Sequence, residues 1–405
     1  MSGRPSPAII ADGVAVALAV GVLAAAAGVL EACRPNAPLF DHAVLLADML
    51  HAPPHLFRGH NEHMPVVPRL VFWLEAVVTD GAPLLPVAVG VGALAVGAGV
   101  VCQAWKTRAR AVLAVVFLAA VLRPSLAWSV SWPTNIQYPL AFLGAAIAFS
   151  WPGRAVAVVV GGTLAALSSA EGLLVLPLAA VLQEGERARL RGLSYLALGV
   201  GLGAWTSMGG SSGLVLPDGT DDWARLVAFA GRLVAYPWSL RLWLGLVGPV
   251  LVGVAWLARR SGVDRGLLAM AVYGAAFAGL VVVGRWWLPS VHHRYALGAT
   301  VAVVALVGAV LVASTDRSEG LGARGATVAL AAVLALEAMG LGAPIAADCR
   351  ATEPPGEAFW RGETDDGADA HPGFPAAIAV ELRSHLWRAG LYRPSAARPD
   401  SREPP

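Results

Sequence analysis

The stretch "MSGRPSPAIIADGVAVALAVGVLAAAAGVLEAC", Met1 to Cys33, decides the fold class. Its apolar run is too long for the hydrophobic region of a secretory signal and lacks a clean cleavage site. It reads as a retained first transmembrane helix. Asp12 interrupts it near one end, within reach of water. The rest of the chain has the same character. Its 405 residues are 57% hydrophobic and 14% charged, against roughly 25% charged in soluble domains. Apolar runs recur at 82–104, 110–127, 134–151, 154–168, 172–183, 192–208, 241–258, 266–284, 295–313 and 325–343. In lipid such runs satisfy their own backbone groups as helices. The expectation is an all-α polytopic transmembrane bundle of about eleven spans. The pair 154–168 and 172–183 is short for two crossings, but a single crossing would put "ERARLRG" on the opposite side.

Charge distribution decides between these topologies. With the N-terminus inside, the inner loops read "KTRAR", "WPGR", "QEGERARLRG", "ARRSGVDRG" and "STDRSEGLGARG". They are short and dense in arginine, as cytoplasmic loops are. The transmembrane domain then occupies 1–343, with a first outer loop at 33–81, and a short tail at 344–405 lies outside. This is the topology of a multi-pass cell-membrane protein with a cytoplasmic N-terminus and an extracytoplasmic tail. The net charge of +2 says little about partners, and no nucleic-acid partner is expected.

On this topology the ionisable residues collect on the outer side. The first outer loop holds Asp41, His42, Asp48, His51, His55, His60, Glu62 and His63. Other outer loops read "PDGTDDW", "GRWWLPSVHHRY" with Arg285, His293 and Arg294, and "LRPSLAWSVSWPTNIQYP" with Arg123, Asn135 and Gln137. Glu171 sits in "SSAEG", between the two short spans. Two segments, "RLVFWLEAVVTD" from Arg69 and "WARLVAFAGRLVAYPWSLRLW", carry apolar residues at helical spacing. They read as interfacial helices that roof a cavity on that face.

The order of elements, an N-terminal helix, a long acidic first outer loop and about ten further spans, resembles the GT-C superfamily of membrane glycosyltransferases. "HNEHMPVVPRL", His60 to Leu70, looks like the "NEHR…PRL" stretch of many bacterial members, with Met64 where arginine is commoner. "GR…HHRY", with Arg285 and Arg294, looks like their late outer-loop pattern. The resemblance implies inverting transfer of a sugar from a polyprenyl-phosphate donor to a glycan, lipid or protein acceptor outside the membrane. It also implies a catalytic base at an acid early in the first outer loop, which Asp41 matches. Asp41 is followed by His42 and Ala43 rather than by a second aspartate one residue on. This departs from the metal-dependent members and points to the metal-independent ones.

Such transfer needs a carboxylate for the acceptor proton, cations for the departing phosphate and an apolar groove for the lipid. Asp41 and Glu62 are candidates for the first; Arg69, Arg285, His293 and Arg294 for the second. His60, His63, Glu171 and Gln137 are candidate cavity residues. For each a plainer role stays open: a solvated carboxylate at Asp41, a loop anchor at Glu62, a headgroup contact at Arg285 and Arg294. His60 and His63, with Glu62 or Asp41, fall short of a metal site for want of a fourth ligand of clear spacing, and no cofactor is expected. Glu171 either pairs with Arg123 or faces the cavity. Glu337, deep in the last span, requires a partner or a water path. Cys33 and Cys349 follow the first and last spans on one side, so a disulfide between them is open. In the tail, "AAIAVELRSHLWRAGLY" reads as a short amphipathic helix able to return over the cavity. A transporter or flippase is the competing reading. It predicts internal repeats and mid-membrane charges, whereas the ionisable residues here crowd one face.

Overall fold

The computed structural model describes residues 7–34, 40–50, 54–58, 64–79, 83–103, 110–184, 187–207, 217–235, 265–286, 293–315, 321–351, 359–360, 363–364, 376–389 and 391. Among them every regular element is helical. The chain runs through α1 (Pro7–Ala32), α2 (Phe40–Leu50), α3 (Val66–Val78), α4 (Leu84–Gln103), α5 (Arg110–Val121) and α6 (Pro124–Ser131). A 3-10 turn at Pro133–Ile136 leads to α7 (Gln137–Ser150) and α8 (Ala155–Ala166), and a second at Glu171–Leu174 leads to α9 (Val175–Val181). Then come α10 (Ala188–Ser207), α11 (Thr220–Ala235), α12 (Arg265–Arg285), a turn at His293–Tyr295, α13 (Ala296–Thr315), α14 (Leu321–Ala351) and α15 (Ala376–Arg388).

Four described helical stretches are long and apolar enough to cross a membrane: Ile9–Ala32, Leu84–Gln103, Arg265–Arg285 and Thr327–Arg350. A fifth is counted if Ala114–Val121 and Pro124–Ser131, bent by 57°, form one broken span. The expected span at 110–127 is therefore not a straight helix. Its break has a local cause. Pro124 stands at the start of α6, and proline drives the residue before it out of the helical region. Arg123 accordingly has ψ 159°. The segment after the break, expected as an outer loop, is instead buried helix, with Leu126, Ala127 and Val130 in the apolar interior.

The short pair is resolved as two pieces. α8 has 12 residues and α9 has 7; α8 is about 18 Å long, against roughly 30 Å of hydrocarbon, so neither crosses alone. Helices α10, α12, α13 and α14 lie where spans were expected, and the expected span at 241–258 is outside the described residues.

Small residues let these helices approach closely, the usual basis of helix packing in lipid. A Cβ on Gly144 of α7 would fall 2.7 Å from the backbone nitrogen of Ala165 in α8. One on Gly274 of α12 would fall 2.5 Å from that of Ala302 in α13. Helices α1 and α14 pack along each other, with Gly342 near Ala25. Their C-terminal ends are joined by the disulfide Cys33–Cys349. The two helices therefore run parallel, and the segment that leads to α2 and the tail leave from one covalent point.

The two segments expected at the interface are helical in α3 and α11. On α3, Leu70, Trp73, Leu74 and Val77 are exposed at i, i+3, i+4 and i+7, while Arg69, Phe72 and Glu75 are buried on the other face.

Candidate functional site

Helix α2 is tied to α3 by two buried polar contacts. His42 Nε2 and Glu75 Oε2 lie 2.9 Å apart with both side chains fully buried, which ties α2 to α3. Arg69 donates to Asp48 Oδ2 at 3.0 Å and to the Leu56 carbonyl at 3.4 Å, and also contacts the Arg58 carbonyl. Arg58 reaches the other oxygen of Asp48 at 3.0 Å. Burial pulls the Arg69 guanidinium below the usual arginine range, and Asp48 opposes that shift. A buried cation needs such a partner, and packing α3 on α2 supplies it.

At the first turn of α2 stands Asp41, where a carboxylate suits the positive end of the helix. It borders a cavity of about 210 Å³. Gln137 and Tyr138 come to that cavity from the start of α7, and Glu171 from the turn between the short helices. The end of α12 supplies Leu280, Val281 and Arg285, and the turn before α13 supplies Arg294 and Tyr295. Asp41, Gln137, Glu171, Arg285 and Arg294 are each half-buried.

The arginines are locally oriented. Arg294 donates to the Tyr295 hydroxyl at 3.1 Å, and its guanidinium carbon lies 4.9 Å from that ring's centre. Asp41 is close enough to Arg294 to act on its charge. Arg285 donates to the Gly284 carbonyl at 3.1 Å. Tyr138 stacks on Phe277 at 5.7 Å and meets Tyr295 edge-on at 6.4 Å. The lining thus offers two carboxylates, two guanidiniums, an amide and phenolic groups beside an aliphatic wall. Such a set can neutralise an anion, hydrogen-bond hydroxyls and shelter an apolar chain.

Five residues proposed from sequence, Asp41, Gln137, Glu171, Arg285 and Arg294, therefore meet at one cavity. Arg69 does not. It was expected at the phosphate, but it does not line the cavity and its guanidinium is engaged by Asp48 and loop carbonyls. Glu62, His60 and His63 lie outside the described residues, as does the His293 side chain. Among the described residues no three His, Cys, Asp or Glu side chains gather as a metal ligand set.

Two alternatives left open by the sequence are now decided. Glu171 lines the cavity, while Arg123 pairs with Glu337, Nε to Oε1 at 3.2 Å. Ser125 bridges them, accepting from Arg123 at 3.0 Å and donating to Glu337 at 2.8 Å. The tail helix α15 packs on α2, and none of its residues lines the cavity. Sequence reasoning missed Tyr138 and Tyr295, although both stand inside the quoted "NIQYP" and "HHRY". Their position next to Gln137 and Arg294 was the available signal.

Comparison with protein-family models, with curated proteins and with solved structures found no match to this chain.

Proposed function

We propose that this protein is a membrane glycosyltransferase of GT-C type that moves a sugar from a polyprenyl-phosphate donor to an extracytoplasmic acceptor. The observation that carries the reading is that Asp41, Arg285 and Arg294 border the same cavity. In the proposed step Asp41 takes the proton of an acceptor hydroxyl. The freed oxygen attacks the anomeric carbon from the face opposite the phosphate. The bond between that carbon and the phosphate oxygen breaks with its electron pair on oxygen, and the configuration inverts. Arg285 and Arg294 hold the charge of the departing polyprenyl phosphate; arginine's planar fork suits this contact. Gln137 and Glu171 take sugar hydroxyls, and Leu280 and Val281 begin the lipid path.

An outward-facing cavity is supported by the disulfide. Cys33 lies eight positions before Asp41 in the chain, and disulfides persist in oxidising compartments. Together with the arginine-rich loops on the opposite side, this supports a cell-membrane protein whose cavity faces out.

The test is transfer from a radiolabelled polyprenyl-phosphate sugar in membranes, comparing wild type with Asp41→Asn at matched folded protein. Asp41→Asn is expected to lower transfer by roughly 10²–10⁴-fold, the range of a lost general base. Full transfer by Asp41→Asn removes Asp41 from that role. No transfer by wild type from any polyprenyl-phosphate sugar removes the enzyme reading and favours the transporter.

A further inference from the structure

The tail is built to a degree that a solvated terminus does not require. Phe359 and Trp360 are fully buried, and Ala379, Leu386 and Leu391 are buried with them. Arg383 fastens this unit, donating to the Phe359 carbonyl at 2.9 Å and the Thr364 carbonyl at 2.6 Å. Its guanidinium lies over the Phe359 ring at 4.1 Å and the Trp387 ring at 4.8 Å. Trp387 Nε1 donates to the Trp360 carbonyl at 3.3 Å.

This unit shares one apolar cluster with Ala43, Leu45, Leu46 and Ala47 of α2. At about 100° per residue, three of those positions fall roughly 140–240° around the helix from Asp41, and Leu45 falls about 40° from it. Helix α2 is thus a wedge, with Asp41 toward the cavity and the tail unit behind it. Both sides of the wedge are rooted at Cys33–Cys349, since Cys33 precedes α2 and Cys349 precedes Phe359.

We infer that the disulfide and the tail unit formed by Phe359, Trp360, helix α15 and Leu391 together act as a brace that presses α2 against the cavity and fixes the Asp41 carboxylate in its wall. Arg383 and Trp360 are then positioning residues, acting through α2. The consequence for turnover rests on the glycosyltransferase reading; the mechanical claim does not.

The experiment separates the two. In a Cys102→Ala background, Asp41→Cys leaves one free thiol in the chain, because Cys33 and Cys349 are paired. Its alkylation by a membrane-impermeant maleimide is timed with the brace intact, with Arg383→Met, and with Cys33→Ser and Cys349→Ser combined. Gly284→Cys, which lines the same cavity from α12 and has open space at its Cβ position, is the control site in the same backgrounds.

Either brace variant is expected to speed labelling at position 41 by roughly tenfold, as local opening does, with position 284 unchanged. Unchanged labelling at 41 in both variants overturns the brace. Equal acceleration at 41 and 284 also overturns it, because that marks general loosening. In chains with native Asp41, the brace variants are expected to lower kcat for sugar transfer while KM holds. If labelling responds as expected and wild type transfers no sugar, the brace stands and the functional reading falls.

Discussion

Arg123 and Arg294 each stand just before a helix of the bundle, and the difference between their surroundings separates two uses of charge in this protein. Arg123 is sealed, with no exposed side-chain surface, against Ser125 and Glu337. Arg294 is half-buried at the edge of a cavity that also meets Asp41, Glu171 and Arg285. Arg69 belongs with Arg123, since Asp48 and two loop carbonyls enclose it. A buried pair is enclosed with its partner and borders no open space for a ligand. Half-buried groups around an open space retain capacity for one. Residue type is the same in both regions; enclosure tells them apart.

The sharpest way to break this comparison is at Glu337. Its replacement by leucine leaves Arg123 charged in an apolar interior, which typically costs about 3–5 kcal/mol. Glu337→Leu is expected to lower the thermal unfolding temperature in detergent sharply or to abolish folded yield. Adding Arg123→Met should recover most of the loss, because an apolar pair of similar volume often replaces a buried ion pair without cost. If Glu337→Leu melts like wild type, Arg123 and Glu337 are not the closed pair described here.

The opposite behaviour is expected at the cavity. Arg294→Gln removes the charge but keeps a hydrogen-bonding side chain of similar reach beside Tyr295. Melting should move far less than with Glu337→Leu, since glutamine can still donate to the Tyr295 hydroxyl and no buried partner charge is left uncompensated. Sugar transfer should fall by roughly 10²–10³-fold, the loss that follows removal of one transition-state donor. A large drop in melting temperature with Arg294→Gln moves this arginine into the structural class.

How far the sequence carries this distinction can be seen at single residues. Periodicity and apolar length made the all-helical architecture legible, and the grouping of Asp41, Gln137, Glu171, Arg285 and Arg294 followed from assigning their loops to one side. Arg69 was misplaced because a one-dimensional pattern shows an arginine in an outer loop, not the Asp48 that lies 21 positions earlier and 3.0 Å away. Arg123 and Glu337 are separated by more than two hundred positions, so no local spacing could pair them. The bend at Arg123 was readable in principle from Pro124, yet the apolar run around it looked continuous. Length alone also hides how an apolar run folds. A run such as 172–183 is apolar enough for lipid but yields only the 7-residue helix α9 after its 3-10 turn. The disulfide, by contrast, was within reach because topology alone brought Cys33 and Cys349 to one side.

Asp48 offers the finest test, because both kinds of environment meet on one carboxylate. Its Oδ2 accepts from Arg69, whose side chain is 0% exposed, and its Oδ1 accepts from Arg58, whose side chain is 63% exposed, each at 3.0 Å. Equal distances do not imply equal contributions. Around Arg58 water screens the attraction, and holding its long side chain still costs entropy, so Arg58→Ala is expected to cost about 0.2–1 kcal/mol. Arg69→Ala leaves the buried Oδ2 of Asp48 without its donor and removes a fully buried side chain between α3 and α2, so it should cost several times more than Arg58→Ala. Thermal unfolding of the two single variants, measured in the same detergent, gives the ratio directly. A ratio near one would mean that enclosure does not govern the strength of these pairs, and the line drawn between the closed pairs and the cavity would lose its energetic basis.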